Sequence, residues 1–137
     1  MLTLGIGTAT DVCSVALLDG TTPLVDCQLA VPRSHGRRLA LLIQETLAHA
    51  SRAVSDLDLV AVSAGPGSYT GLRIGMSTAK GICLATGAPL AAVPTMLALG
   101  YGASGTGVVL LPSRRGDAYA AVVALGEFVL TPAALSV

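Results

Sequence analysis

The spacing of hydrophobic positions along the chain changes near residue 30. Before that point, apolar runs alternate with turn residues such as Asp19 and Gly20, and Asp-Gly between apolar runs is typical of a hairpin. Beyond it, apolar residues recur at helical spacing from about His35 to Ala50. The pattern predicts strands over 2–7, 12–18 and 24–29. It then predicts an amphipathic helix with Ser34 as its N-cap.

The middle of the chain alternates strands with helices. Residues 59–63 form an unbroken apolar run, which is typical of a buried parallel strand. A second helix is predicted from the following loop to about residue 86, then a strand over 90–93 and a short helix over 95–101. A three-strand meander extended by parallel crossovers is the ribonuclease-H-like α/β arrangement.

A second meander follows the glycine-rich link at 102–107. Strands are predicted over 108–111, 118–125 and 127–130, so the opening of the first unit is repeated. A duplicated ribonuclease-H-like unit is the actin-like ATPase fold, which Hsp70 and the sugar kinases share. We therefore expect a complete N-terminal lobe over 1–101 and the start of a second lobe over 108–137. We expect that second lobe to be truncated.

Composition and charge narrow the functional classes. Hydrophobic residues make up 53% of the chain and charged residues 12%, which favours a packed core over disorder. The most apolar stretch, residues 76–100, is interrupted by Lys80 and by Gly and Pro, so no membrane span is predicted. Eight basic residues balance eight acidic ones, and the densest basic cluster is only Arg33, Arg37 and Arg38. Direct binding of nucleic acid is therefore not indicated.

The three cysteines, Cys13, Cys27 and Cys83, form no C-x-x-C pair. They predict reduced thiols in a cytoplasmic protein rather than a disulfide framework or a zinc site. The two histidines, His35 and His49, lack the spacing of a metal motif. No catalytic residue and no metal ligand is predicted.

The second helix has two apolar faces. One carries Leu72, Met76, Ala79 and Cys83, and the other carries Gly71, Gly75, Thr78 and Ile82. A helix with two apolar faces is buried on two sides, and one of them can meet the sheet. The small-residue side allows close approach of a second helix, either within the chain or from a partner.

The loop from Gly65 to Gly71 lies between a buried strand and this helix. Its backbone N–H groups, at a helix N-terminus, favour an anion such as phosphate. A strand-to-helix turn that needs glycine conformations explains the same residues equally well.

The central segment resembles the signature of a known family. Residues 64–75, AGPGSYTGLRIG, are similar to the motif of the TsaB/YeaZ family of tRNA threonylcarbamoyladenosine biosynthesis proteins. Four other segments match the family in the same order along the chain: IGTAT at 6–10, CSVAL at 13–17, Ser34-His35, and RRGDAY at 114–119. The resemblance therefore covers nearly the whole chain.

The resemblance implies a non-catalytic scaffold subunit. Its partner would be a TsaD-like catalytic paralogue, which holds a metal through an H-x-x-x-H pair. Thr95 and Leu99 stand at the corresponding positions. A TsaE-like ATPase would dock on the pair, and tRNA would be reached only through the complex. The chain would hold no cofactor of its own, with ATP or ADP expected only at the interface with partner subunits.

The resemblance also implies the site residues. The partner would be contacted through the first two helices, and the expected interface residues are Gly71, Ile74, Gly75, Thr78, Ile82 and Leu41. The expected motif residues, which an anion would approach, are Gly65, Pro66, Gly67, Ser68, Thr70 and Arg73.

The chain departs from the family pattern in two ways. Gly7 stands where the family usually carries an Asp, and a second such Asp is missing near Pro112. The chain is also shorter than family members usually are. Two alternatives stay open: a metal-dependent enzyme (peptidase-like or a small kinase), and a homodimeric structural protein that uses the same helix face on itself.

Overall fold

The computed structural model describes residues 1–30, 35–102, 104–113 and 116–135. The strands in these ranges are β1 (Leu2–Gly7), β2 (Val12–Asp19), β3 (Thr22–Ala30), β4 (Leu59–Ser63), β5 (Leu90–Val93), β6 (Thr106–Pro112), β7 (Ala118–Ala124) and β8 (Glu127–Leu135). The helices are α1 (His35–His49), α2 (Tyr69–Thr86) and α3 (Thr95–Gly100), with a 3-10 turn at Val54–Asp56. The predicted N-cap Ser34 and the arginines Arg33, Arg114 and Arg115 lie outside the described residues.

The first sheet has five strands in the order β3-β2-β1-β4-β5. Strands β1, β2 and β3 pair antiparallel, whereas β4 pairs parallel with β1 and β5 parallel with β4. Parallel neighbours need a crossover, and α1 and α2 lie in the two connections. The predicted meander with parallel crossovers is confirmed.

Helices α1 and α2 pack on one face of this sheet. Every second residue of β1 and β2 is buried on that face, and Leu4, Val15 and Leu17 are fully enclosed. The alternation follows from the period of two in strands. Leu39 and Leu47 of α1 complete the core, because they recur on the face of the helix that meets the sheet.

The second sheet is an antiparallel meander in the order β6-β7-β8. One face packs against α3, where Met96, Leu111, Ala121 and Val123 form a second, smaller core. Gly100 of α3 fits against this sheet because a Cβ there would lie only 3.1 Å from Val123.

Two strands of the second sheet are longer than predicted. β6 begins at Thr106, and β8 runs to Leu135 rather than ending at 130. β8 passes through Pro132, and it can do so because an edge strand tolerates a residue without an N–H donor.

None of the helices in the described part of the chain is both long and apolar enough to cross a membrane.

Candidate functional site

The loop that precedes α2 is pressed against the turn between β1 and β2. A Cβ added to Gly67 would overlap with the carbonyl of Ala9, and one added to Gly71 would overlap with the carbonyl of Thr8. The N–H of Ser68 donates to the Ala9 carbonyl at 2.7 Å. Close approach of two backbone segments therefore requires glycine at both positions, whether or not a ligand binds.

Thr8 is the residue around which this contact is built. It is completely buried, and its Oγ1 donates to the carbonyl oxygen of Gly71 at 2.8 Å. Its N–H donates to Ser63 Oγ at 3.3 Å, which links the turn to the end of β4. A Cβ on Gly75 would overlap with Thr8 Oγ1. The two glycines of the small-residue face of α2 are thus packed inside the chain.

This packing corrects part of the expected partner interface. Gly71 and Gly75 are both buried, so neither offers surface to another protein. Ile74 and Ile82 are half-buried and pack against the first core, and Thr78 is half-buried as well. Leu41 on α1 is 53% exposed and remains available.

Thr95, the first residue of α3, holds the other end of the loop. Its Oγ1 accepts a hydrogen bond from the N–H of Gly65 at 3.1 Å, and its own N–H donates to the Gly65 carbonyl at 2.9 Å. Thr95 is 3% exposed, whereas Leu99, one turn further along, is 53% exposed. The Thr95 side chain therefore ties α3 to the loop that starts α2.

A cleft of about 700 Å³ lies between the two sheets, beside the N-terminus of α2. The β1–β2 turn contributes Thr10 and Asp11, the loop contributes Ser68, and the second sheet contributes Ser113 and Tyr119. Ser68 caps α2, since its side chain accepts from the N–H of Gly71 at 3.3 Å. Among the described residues that line the cleft, Asp11 is the one that carries a charge. A helix N-terminus favours an anion, and this carboxylate opposes it.

Arg73, expected with the motif loop, lies instead on the solvent side of α2. Exposed positions on this helix recur every three or four residues and form one outer face. The members of this face are Tyr69, Arg73, Ser77, Lys80 and Leu84, and the exposed Thr70, Gly81 and Ala85 lie beside it. The guanidinium carbon of Arg73 lies 5.4 Å from the centre of the Tyr69 ring, within cation–π range.

Two shallow grooves flank this outer face. One, of about 320 Å³, includes Thr70 and Ile74, and the other, of about 400 Å³, includes Leu72 and Met76. Arg73 and Ser77 line both. The prediction from sequence missed Tyr69, Ser77, Lys80 and Leu84, although their helical spacing was a signal that could have identified them.

Metal ligands are not brought together in the described part of the chain. No three His, Cys, Asp or Glu side chains there are grouped closely enough to hold an ion.

Comparison with known proteins decides the family. The family model for TsaD, tRNA N6-adenosine threonylcarbamoyltransferase, matches residues 29–134, which is more than half of the chain. The tRNA threonylcarbamoyladenosine biosynthesis protein TsaB of Escherichia coli is 36% identical over 124 residues, covering 87% of this chain and 53% of the relative. The chain belongs to the TsaB/YeaZ family.

Solved structures agree with the family assignment. A Pseudomonas aeruginosa protein described as similar to peptidase YeaZ superimposes with a TM-score of 0.88 at 30% identity, covering 98% of this chain and 66% of that one. A ROK hexokinase from Thermus thermophilus, at 15% identity and a TM-score of 0.54, shows the shared fold alone. The predicted ribonuclease-H-like, actin-like fold is confirmed. This TsaB/YeaZ family member spans about half the length of the E. coli relative.

Proposed function

We propose that the chain is a non-catalytic subunit of the machinery that forms threonylcarbamoyladenosine on tRNA, and that it pairs with a TsaD-like catalytic paralogue. The observation that carries the non-catalytic part of the proposal is the role of Thr95. By resemblance, Thr95 and Leu99 stand where the paralogue has its metal-binding histidines. Here the Thr95 side chain is engaged with the N–H of Gly65, and Leu99 is aliphatic. Neither residue offers the imidazole nitrogen that transition metals prefer.

The partner would dock on the outer surface of α1 and α2. This surface combines the exposed Leu41 and Leu84 with Tyr69 and Arg73. Tyr and Arg are enriched among energetically important interface positions, which fits Tyr69 and Arg73. The exposed leucines would add apolar contact area along the same surface. Ile74, Thr78 and Ile82 lie half-buried on the same helix and would form the floor of the contact.

We propose the other components of the complex by analogy with the family. A TsaE-like ATPase would bind the pair, tRNA would be contacted through the assembled complex, and the site of action would be the cytoplasm. ATP or ADP would sit where subunits meet. The interlobe cleft is the candidate for this chain's share of such a site, since the α2 N-terminus opens into it. The partner would have to offset the Asp11 carboxylate that lines the same cleft.

The decisive experiment is incorporation of labelled threonine into tRNA by the reconstituted pathway enzymes, with and without this chain. Incorporation that depends on the chain supports the proposal. Equal incorporation in its absence rejects it.

Docking is tested separately with Leu41→Lys, which places a charge on the proposed surface without disturbing the core. The expected result is at least a tenfold weaker affinity for the TsaD-like protein, about 1.4 kcal/mol, measured by calorimetry. Leu125→Lys is the matched control, because Leu125 is 91% exposed in the β7–β8 turn of the other lobe. Equal affinity of both variants would place the interface elsewhere.

The two alternatives predict different results. A metal-dependent peptidase or kinase would retain stoichiometric metal when purified without chelators, and metal analysis would detect it. A homodimeric structural protein would show a mass that doubles with concentration in light scattering, and the Leu41→Lys change would abolish this rise.

A further inference from the structure

Two cationic side chains and no carboxylate line the groove of about 400 Å³ beside α2. Arg73 and Lys80 are exposed at its rim, and the half-buried Leu72 and Met76 form its floor. We call this surface the basic groove. α2 contains no Asp or Glu, and neither cation forms an ion pair with another of the described residues. The groove therefore carries two positive charges that the described part of the chain does not neutralise.

The basic groove lies on the flank of α2 that points away from α1. Ile74, on the opposite flank, faces α1, since a Cβ added to Gly36 of α1 would lie 3.8 Å from its Cδ1 atom. Leu72 and Met76 each lie about 160° around the helix axis from Ile74, because successive residues of a helix are about 100° apart. A molecule in the basic groove would therefore not compete with α1 for space. The groove is separate from the contact proposed above for Leu41 and Ile74.

We propose that the basic groove binds an amphipathic helix of a partner protein that carries carboxylates two turns apart. Arg73 and Lys80 are seven residues apart, which is about 10.5 Å along α2. Two turns of a helix lying alongside span the same distance, so glutamates at positions i and i+7 would each meet one cation. Leucines beside them would cover Leu72 and Met76. An extended strand repeats one face only every 7 Å or so, roughly, and fits this spacing less well.

Arg73 is already oriented for such a contact. Its guanidinium carbon lies 5.4 Å from the centre of the Tyr69 ring, and this cation–π contact restricts the side chain. A guanidinium can donate two parallel hydrogen bonds to one carboxylate, whereas the ammonium of Lys80 acts as a point charge on a flexible stem. A restricted side chain also loses less rotamer entropy on binding. Arg73 should therefore contribute more to the affinity than Lys80 does.

The composition of the groove favours a protein over a nucleic acid as its anionic partner. Proteins that bind nucleic acid through phosphates commonly neutralise about 6–10 of them with Lys and Arg. The basic groove offers two cations, and between them lie Met76 and Ser77 rather than a third. An apolar floor beneath a pair of cations matches a helix that has leucines next to its glutamates.

The test uses three fluorescently labelled helical peptides that differ only at two positions seven residues apart. These positions carry Glu, Gln or Lys, and all three peptides have leucines on the adjoining face. Fluorescence anisotropy measures their affinity for the chain at low ionic strength. The Glu peptide is expected to bind at least tenfold more tightly than the Gln peptide, and the Lys peptide more weakly than either. The preference for Glu should shrink as salt is added, because salt screens exposed charges.

Charge reversal on the chain identifies the groove as the binding site. Arg73→Glu should weaken binding of the Glu peptide at least tenfold, and Lys80→Glu should weaken it at least threefold. Arg52→Glu is the matched control, since Arg52 is exposed, lies outside α2 and undergoes the same change of charge. Its affinity for the Glu peptide should stay within about twofold of the wild type. The double variant Arg73→Glu/Lys80→Glu should bind the Lys peptide more tightly than the Glu peptide.

Three results would overturn the proposal. The first is equal affinity of the wild-type chain for the Glu and Gln peptides, and the second is an equal loss in Arg52→Glu and in the two groove variants. The third is tighter binding of tRNA than of the Glu peptide with the same dependence on Arg73 and Lys80, which would assign the groove to nucleic acid. None of these measurements uses the TsaD-like protein, so the outcome is independent of the docking test described above.

Discussion

The contact between α2 and Thr8 allows a quantitative test with two identical substitutions on one helix. In Gly75→Ala the new methyl group would overlap with Thr8 Oγ1, whereas in Gly81→Ala it would have open space around it. Replacing Gly by Ala in an exposed helix interior is worth about 1 kcal/mol in favour of the folded state. Gly81→Ala should therefore raise the free energy of unfolding by about 1 kcal/mol. Overpacking costs about 1–3 kcal/mol, which offsets or exceeds this gain. Gly75→Ala should therefore leave the free energy of unfolding unchanged or lower it by up to about 2 kcal/mol.

A double-mutant cycle isolates the cause of this difference. Thr8→Ala removes the overlapping hydroxyl and the hydrogen bond to Gly71, which costs about 0.5–1.5 kcal/mol. The Thr8 Cβ that remains would lie 3.5 Å from the new methyl group, an ordinary van der Waals distance. In the Thr8→Ala background, Gly75→Ala should therefore stabilise the protein as Gly81→Ala does. The expected coupling is about 1–3 kcal/mol, in the range seen for residues in contact.

Urea unfolding followed by far-UV circular dichroism is the suitable assay, because the chain has no Trp to report by fluorescence. Equal effects of Gly75→Ala in the two backgrounds would refute the close-packing argument. So would stabilisation by Gly75→Ala equal to that of Gly81→Ala, since the small-residue face would then be free for a partner after all.

Two further predictions concern buried polar groups. Thr95→Val should lower the free energy of unfolding by about 1–3 kcal/mol and speed amide exchange at Gly65, since that part-buried N–H loses its acceptor. Thr95→Ser keeps the hydroxyl, so its free energy of unfolding should stay near that of the wild type. Identical losses of stability in both variants would contradict the role of the hydrogen bond to Gly65. Burial raises the pKa of the Cys13 thiol above its ordinary value of 9.0, so the unfolded chain releases this proton at lower pH than the folded protein does. The free energy of unfolding should therefore fall as the pH rises through 9.0, and Cys13→Ala should reduce that slope in urea titrations; an unchanged slope would contradict it.

Most elements of the fold could be predicted from the sequence because their signals are local. Apolar runs separated by turn residues over β1 and β2, and helical spacing over α1, gave bounds within one or two residues of those observed. The predicted end of β8 was wrong. A strand can continue through Pro132 only at the edge of a sheet, and the order of strands that puts β8 at the edge is not visible in a local pattern.

The orientation of α2 could not be predicted in the same way. Both of its faces are apolar, so periodicity gives no reason to choose between them. The deciding contact joins Gly71 to Thr8, which is 63 residues away in sequence. Likewise the glycines of the motif loop fit an anion site and a close backbone approach equally well until the position of Ala9 is known. The role of Thr95 depends on a partner 30 residues away, which no local pattern shows.

The close contact between α2 and the β1–β2 turn has a consequence for association. Because backbone carbonyl and hydroxyl groups of Thr8 directly contact Gly71 and Gly75, α2 has little freedom to slide or tilt relative to the sheet. A protein that docks on its outer face would then meet a backbone that is already fixed, and would order only exposed side chains such as Arg73 and Leu84. Preorganisation of this kind reduces the entropy lost on binding. We therefore expect amide exchange within α2 to change little when a partner binds, so that affinity depends on the side chains displayed rather than on any rearrangement of the helix.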